Sequence, residues 1–135
     1  VDLEWVNWVL PPDGPTAYTW DDDTVTDGVT GLVWQRVVSG FLVNWGPAKS
    51  LCEDLVLGGW DDWRLPTVVE LRSIVDHTRG NPAINSDAFP NAAAGVYWSA
   101  SPPAYGNTVA WCVAIGYGYS SLNNVNNFAR VRCVR

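Results

Sequence analysis

Residues 47–76 read PAKSLCEDLVLGGWDDWRLPTVVELRSIVD, and this stretch decides the fold. Pro47 suits a first helical turn, where the missing amide hydrogen would have no partner anyway. Ala48, Leu51, Cys52 and Leu55 then recur at helical spacing until Gly58-Gly59 ends the helix. A second helix opens at Thr67, whose hydroxyl can cap it while Glu70 reaches back, a Thr-x-x-Glu capping box. Its buried stripe is Leu71, Ile74 and Val75, and it stops before Gly80-Asn81-Pro82.

Outward from these helices the pattern changes to strands. On the N-terminal side, Tyr18-Thr19-Trp20 and Thr24-Val25-Thr26 flank an acidic turn, and Asp27-Gly28 and Gly31 lead into Leu32-Val33-Trp34-Gln35. This predicts a β-hairpin. On the C-terminal side, strands are expected over Val96–Ser99, Thr108–Ile115 and Phe128–Val134. Residues 116–127, rich in Gly, Tyr, Ser and Asn, read as a solvent-facing loop or short hairpin. Helices in the middle with strands on both sides make an α+β domain.

Composition narrows the function. The chain has 135 residues, enough for one domain. Hydrophobic residues are 47% and charged residues 16%, so a core can form and wholesale disorder is excluded. Eight Lys+Arg against fourteen Asp+Glu give a net charge of −6, and Lys49 is the single lysine. That balance argues against nucleic acid, polyanions or an anionic membrane surface as partner. No apolar run approaches the ~20 residues of a membrane span, so no membrane insertion is expected. A chain opening Val1-Asp2-Leu3 without Met is expected to be a trimmed form. Together with few lysines and many tryptophans, this favours a secreted or cell-surface bacterial protein.

Residues 1–15 stand apart from the domain at 16–135. Val1, Leu3 and Trp5 alternate with Asp2 and Glu4, a strand signature, and Val6, Trp8, Val9 and Leu10 extend the apolar character. Pro11-Pro12-Asp13-Gly14-Pro15 then acts as a hinge, because proline cannot donate to a ladder. The expectation is an extended arm with no partner inside its own segment.

Candidate chemistry is sparse. Cys52, Cys112 and Cys133 match no zinc spacing. Cys52 lies on the first helix's apolar stripe. Cys133 shares a strand face with Val131, and Arg130, Arg132 and Val134 take the other. Both cysteines point into one core, so a Cys52–Cys133 disulfide is geometrically reasonable, with Cys112 left over as a buried hydrophobe. His77, the only histidine, reads as a helix-end cation rather than a catalytic group. Asp21, Asp22, Asp23 and Asp27 lack the alternation and terminal Glu of a calcium loop and read as turn acids, so no cofactor is expected beyond a weak case for calcium. Asp61 and Asp62 read as loop-orienting groups or partners of Arg64. Trp34, Trp45, Trp63, Trp98 and Trp111 read as core. With no acid–base pair, phosphate loop or metal cluster, no enzymatic activity is expected.

GWDDWRLPTVVELRSIVD at 59–76, with TVTDGVTGLVWQ at 24–35, AKSLCEDL at 48–55, AFP at 88–90, YWSAS at 97–101 and the terminal VRCVR, resembles the Lcl_C family. This is the C-terminal domain of collagen-like bacterial adhesins, and the resemblance runs from about Thr16 to Arg135. It implies a C-type-lectin-like fold, with two helices on a twisted antiparallel sheet and a first-helix cysteine bridged to the last strand. It also implies a non-enzymatic surface domain engaged in adhesion, including to sulfated glycans. The chain departs from that ligand chemistry, since only Arg130, Arg132 and Arg135 form a local basic stripe. The arm lies outside the family pattern.

Two functions follow as expectations. In the first, the arm residues Val1, Leu3, Trp5, Val6, Trp8, Val9 and Leu10 pack on neighbouring copies, giving a homo-oligomer that propagates as a helical filament. An extended arm of this length reaches about 50 Å. In the second, the domain is a glycan- or protein-binding module whose ligand face comprises Tyr105, Tyr117, Tyr119, Asn123, Asn124, Asn126 and Asn127.

Overall fold

The computed structural model describes residues 17–38, 40–90, 92–101 and 108–135. The arm, the hinge and Tyr105 lie outside the described residues. The elements run β1 (Tyr18–Trp20), β2 (Thr24–Asp27), β3 (Val33–Gln35), α1 (Trp45–Glu53), α2 (Val68–Ser73), β4 (Val96–Trp98), β5 (Val109–Ala114) and β6 (Tyr119–Asn124). The strands form two antiparallel three-stranded sheets, ordered β1-β2-β3 and β4-β5-β6. The α+β class holds, but the strands fall in two sheets where one was expected.

Two carboxylates build the first sheet's turns. Asp21 Oδ1 accepts from the amides of Asp23 and Thr24 at 2.9 and 2.8 Å, closing β1 onto β2. Asp27 Oδ1 accepts from Val29 N–H at 2.8 Å, and Gly31 takes the left-handed φ of 77° that the β2–β3 turn needs. Both acids serve as turn acids, as their spacing suggested.

Helix α2 carries the expected capping box: Thr67 Oγ1 accepts from Glu70 N–H at 3.2 Å, and Glu70 Oε1 accepts from Thr67 N–H at 2.8 Å. Helix α1 starts at Trp45, earlier than predicted, because Asn44 takes the extended N-cap conformation. Pro47 still falls in the first turn, where no donor is needed. The helix ends at Glu53, so its apolar stripe is shorter than expected. Ala48 and Cys52 are buried, whereas Leu51 is 47% exposed.

The second sheet lies between two cores. Trp98 and Cys112 are cross-strand partners on one face, and they pack with Ala48, Cys52, Trp63, Ala110 and Cys133. Tyr97 and Val113 are partners on the other face and pack with Leu71, Ile74, Val25, Trp34 and Phe89. Each helix therefore covers one face of β4–β5. Trp34, Trp63 and Trp98 are buried as expected, and Trp45 and Trp111 are half-buried.

Residues 128–135 form no continuous strand, contrary to expectation. They make single bridges to several partners and stitch the two sheets together. Ala129 exchanges backbone bonds of 2.9 Å with Val43. Arg130 N–H donates to Val96 O at 2.8 Å, and Trp98 N–H donates to Arg130 O at 2.9 Å, which covers the outer edge of β4. Further on, Gln35 N–H donates to Cys133 O, and Val33 and Arg135 exchange bonds of 2.8 Å, which covers the outer edge of β3. A run whose partners change every two residues cannot extend as one ladder.

Candidate functional site

The bridge is made: Cys52 and Cys133 form a disulfide with Cα atoms 5.4 Å apart. Cys112 is buried and unpaired, with its thiol against Ser121 O at 3.3 Å, and burial pushes the thiol's pKa up. It packs in the core as a small hydrophobe.

The terminal arginines do not form the expected basic stripe. Strand parity placed Arg132 opposite Cys133, and that face is buried too. Arg132 is 1% exposed, its Nη1 donates to Gln35 O and Arg36 O at 2.5 and 2.8 Å, and its guanidinium lies 4.9 Å over the Phe89 ring. Arg135 makes a bidentate pair with Asp62 at 2.5 and 2.9 Å and stacks over Trp60. Asp62 was expected to orient its loop or pair with Arg64. Arg64 instead makes a bidentate pair with Glu70, both bonds 2.7 Å. Two of the three cations are thus spent on structure, and a polyanion has little to bind there.

The expected ligand face divides in two. At the β5–β6 turn, Tyr117 and Tyr119 stack with centroids 6.2 Å apart and planes 21° from parallel, and they are 79% and 54% exposed. They border a cleft of about 210 Å³ that Asn81, Gly95 and Gly116 also line. Gly118 makes this turn possible. Its φ is +78°, and a Cβ there would lie 2.8 Å from Val75 Cγ1 and 3.3 Å from the His77 ring, in the segment that follows α2. The asparagines lie at the far end of β6. Asn127 Nδ2 donates to Asn123 Oδ1 and Asn126 N–H donates to Asn124 Oδ1, each at 2.8 Å. Asn44 Nδ2 reaches Asn126 O at 2.8 Å, tying this turn to the start of α1. These side chains hold a turn together. Tyr105 lies outside the described residues.

What the sequence reading did not single out is β6 as a strand edge. Only β1 and β6 have outer edges with no partner among the described residues, because the terminal run covers those of β3 and β4. The signal available was YSSLNN at 119–124, a short stretch without charge or proline.

Among the described residues no group of three or more His, Cys, Asp or Glu is placed to hold a metal ion. No described helix is long and apolar enough to cross a membrane. These features define a disulfide-bonded α+β domain with an exposed tyrosine pair and, among the described residues, two sheet edges without a partner. The chain belongs to the Lcl C-terminal domain family, whose match covers residues 23–135. It is therefore an adhesin-like bacterial surface domain. The matched span starts in the turn after β1 and leaves the arm outside. No curated protein matches the chain.

Proposed function

We propose that this protein is a non-enzymatic extracellular subunit of a self-assembling bacterial fibre, in which the arm Val1–Leu10 packs on neighbouring copies. The observation that supports this reading is the pair of open edges. β1 follows the arm in the chain, and β6 ends the other sheet. A donor and an acceptor on different surfaces make a heterologous contact, which propagates as a filament where the rotation between copies does not close a ring. Burying Trp5, Trp8 and the aliphatic residues would release about 1.5–3 kcal/mol per large side chain, offset in part by ordering the arm. The proposed molecule needs no cofactor and is secreted or cell-surface bound. Negative-stain microscopy of the intact protein and of a variant lacking residues 1–12 tests this. Fibres from the first and a folded monomer from the second support assembly; an unchanged state on deletion overturns it.

The tyrosine pair favours a second, compatible reading: a C-type-lectin-like module that binds glycan or protein. Two stacked, exposed rings beside a cleft offer flat apolar area and phenolic hydroxyls to a sugar face. Glycan-array binding that survives arm deletion and is lost in the Tyr117→Ala/Tyr119→Ala variant supports this module. Binding unaffected by those changes rules it out.

A further inference from the structure

The hydrogen-bonding parity of β6 can be read from its neighbours. Trp111 N–H donates to Ser101 O and Trp111 O accepts from Ser99 N–H, both at 3.0 Å, so Trp111 bonds toward β4. In an antiparallel ladder the alternate residues then bond the other way. Ala110, Cys112 and Ala114 face β6, where their partners are Asn123, Ser121 and Tyr119. Val125 N–H, which donates to Thr108 O at 2.9 Å, keeps the same phase. The N–H and C=O groups of Ser120 and Leu122 consequently point away from β5, and no described residue bonds them.

Exposed edges are ordinarily guarded by lysine, proline, a bulge or extreme shortness. Strand β6 is six residues long and carries neither charge nor proline. Leu122 is 48% exposed and sits directly across from half-buried Trp111, so an apolar row ends abruptly at this edge. The other open edge, β1, has three residues, runs into Asp21-Asp22-Asp23, and is where the arm itself joins the domain. The arm has the complementary pattern. Apolar Val1, Leu3 and Trp5 alternate with Asp2 and Glu4, so as an added strand the arm would put the two sets on opposite faces.

We infer that the outer edge of β6 is the acceptor for the arm of a second copy, which joins it as an added strand through the backbone groups of Ser120 and Leu122. The inference rests on the fibre reading and gives that reading its contact. Leu3 or Trp5 extends the Trp111–Leu122 row, while Asp2 and Glu4 stay on the opposite face. The uncharged edge presents nothing to repel those acids.

The test uses the full chain. Leu122→Pro removes an outward N–H and leaves the β5–β6 bonds in place, as proline on an edge strand can. A Ser120→Lys/Leu122→Lys variant guards the same edge without touching the backbone. The expected result is a loss of fibre yield by about tenfold or more in both variants, with an unchanged thermal melt of the monomer. Should the proline variant fail to fold, the lysine variant decides. In parallel, full-length Val1→Cys, Leu3→Cys and Trp5→Cys proteins are each mixed with full-length Ser120→Cys, whose side chain shares the Leu122 face, under mild oxidation, and a cross-link between differently tagged copies is expected for at least one pair. If the wild type forms fibres but the edge variants do so equally well and no cross-link appears, the β6 acceptor is wrong and the fibre reading stands. If the wild type forms no fibres, both fall. A cross-link that forms within one chain of a Leu3→Cys/Ser120→Cys double variant, with none between the mixed single variants, overturns the inter-copy contact.

Discussion

Val134 and Arg64 exchange a pair of 2.9 Å backbone hydrogen bonds, while Cys133 and Arg135 on either side of Val134 bond to Gln35 and Val33 of β3. The last three residues are thus a strand in all but length, with partners on both sides. Cys133 adds the covalent tie to α1, and Arg135 adds the ion pair with Asp62. The C-terminal run covers the outer edges of β3 and β4, so the edges without a partner among the described residues are those of β1 and β6.

Removing the disulfide tests how much this closure contributes. The bonded cysteines are 81 residues apart. In the chain-entropy model a loop of that size is worth about 4–5 kcal/mol. Urea unfolding of the Cys52→Ala/Cys133→Ala protein should show an unfolding free energy lower by an amount of that order. A shift below about 1 kcal/mol would mean that the backbone bridges alone hold the seam.

Arg132 makes a different prediction. Its guanidinium is buried without a described carboxylate partner, so its charge rests on two carbonyls and the face of Phe89. Burial lowers its pKa, the direction expected when a cation leaves water. Replacement by Met keeps most of the volume and removes the charge, but leaves the Gln35 and Arg36 carbonyls unpaired, at a cost of roughly 1–3 kcal/mol. Arg132→Lys keeps the charge, but its ammonium is more strongly hydrated than a guanidinium and has no planar face to lay over Phe89. Thermal unfolding should therefore rank wild type above Met and Met above Lys. Lys equal to wild type would show that the planar guanidinium does not matter.

Much of this was legible where the chemistry is local. The Thr67–Glu70 box spans one helical turn, and the Asp21 and Asp27 turns span three residues each. The phase of the final residues also sufficed to aim Cys133 at Cys52. What sequence pattern could not supply was long-range cover. The face opposite Cys133 was read as basic because arginine usually seeks solvent, yet Phe89 and the core around it bury Arg132. Asp62 finds its cation at the far end of the chain, where spacing gives no hint. Strand β6 escaped notice because Ser and Asn are poor strand formers, and it exists through six register pairs with β5. The same gap split the ligand face, since a strand holds Tyr119 and Asn124 at its opposite ends.

Acid should weaken the start of α2. Arg64 beside Glu70 holds that carboxyl below the usual carboxylate range, helped by the Thr67 amide and against partial burial. A carboxyl with a depressed folded pKa contributes stability above its unfolded value, and this is lost as pH falls through the folded value. Asp76 acts in the same sense. Burial opposes its charge, but bonds from the Thr78 hydroxyl and amide and from Arg79 outweigh it. Stability should therefore be flat near neutrality and fall from about pH 4 downward. In Glu70→Gln the fall should be shallower and the neutral-pH stability lower. An identical acid limb in the variant would show that Glu70 stays protonation-neutral to folding.

Thiol chemistry offers the sharpest check on the core. Cys112 is 1% exposed, sits between Trp98 and Ser121, and has its pKa raised by burial. Its thiolate is scarce and its sulfur inaccessible, which together suppress attack on a disulfide reagent. Native protein should leave Cys112 unlabelled by an aromatic disulfide reagent for as long as the fold holds, and denaturant should release one thiol per chain. Its labelling rate in native buffer then reports the opening of β5 from β6, because the sulfur lies at their interface. Guarding the outer edge with Ser120→Lys/Leu122→Lys should leave that rate unchanged in the monomer, since the bonds that shelter Cys112 are on the inner side of β6. Rapid labelling of the native wild type would mean that β6 does not stay paired, and a strand that leaves its own sheet could not serve as a fixed edge for another.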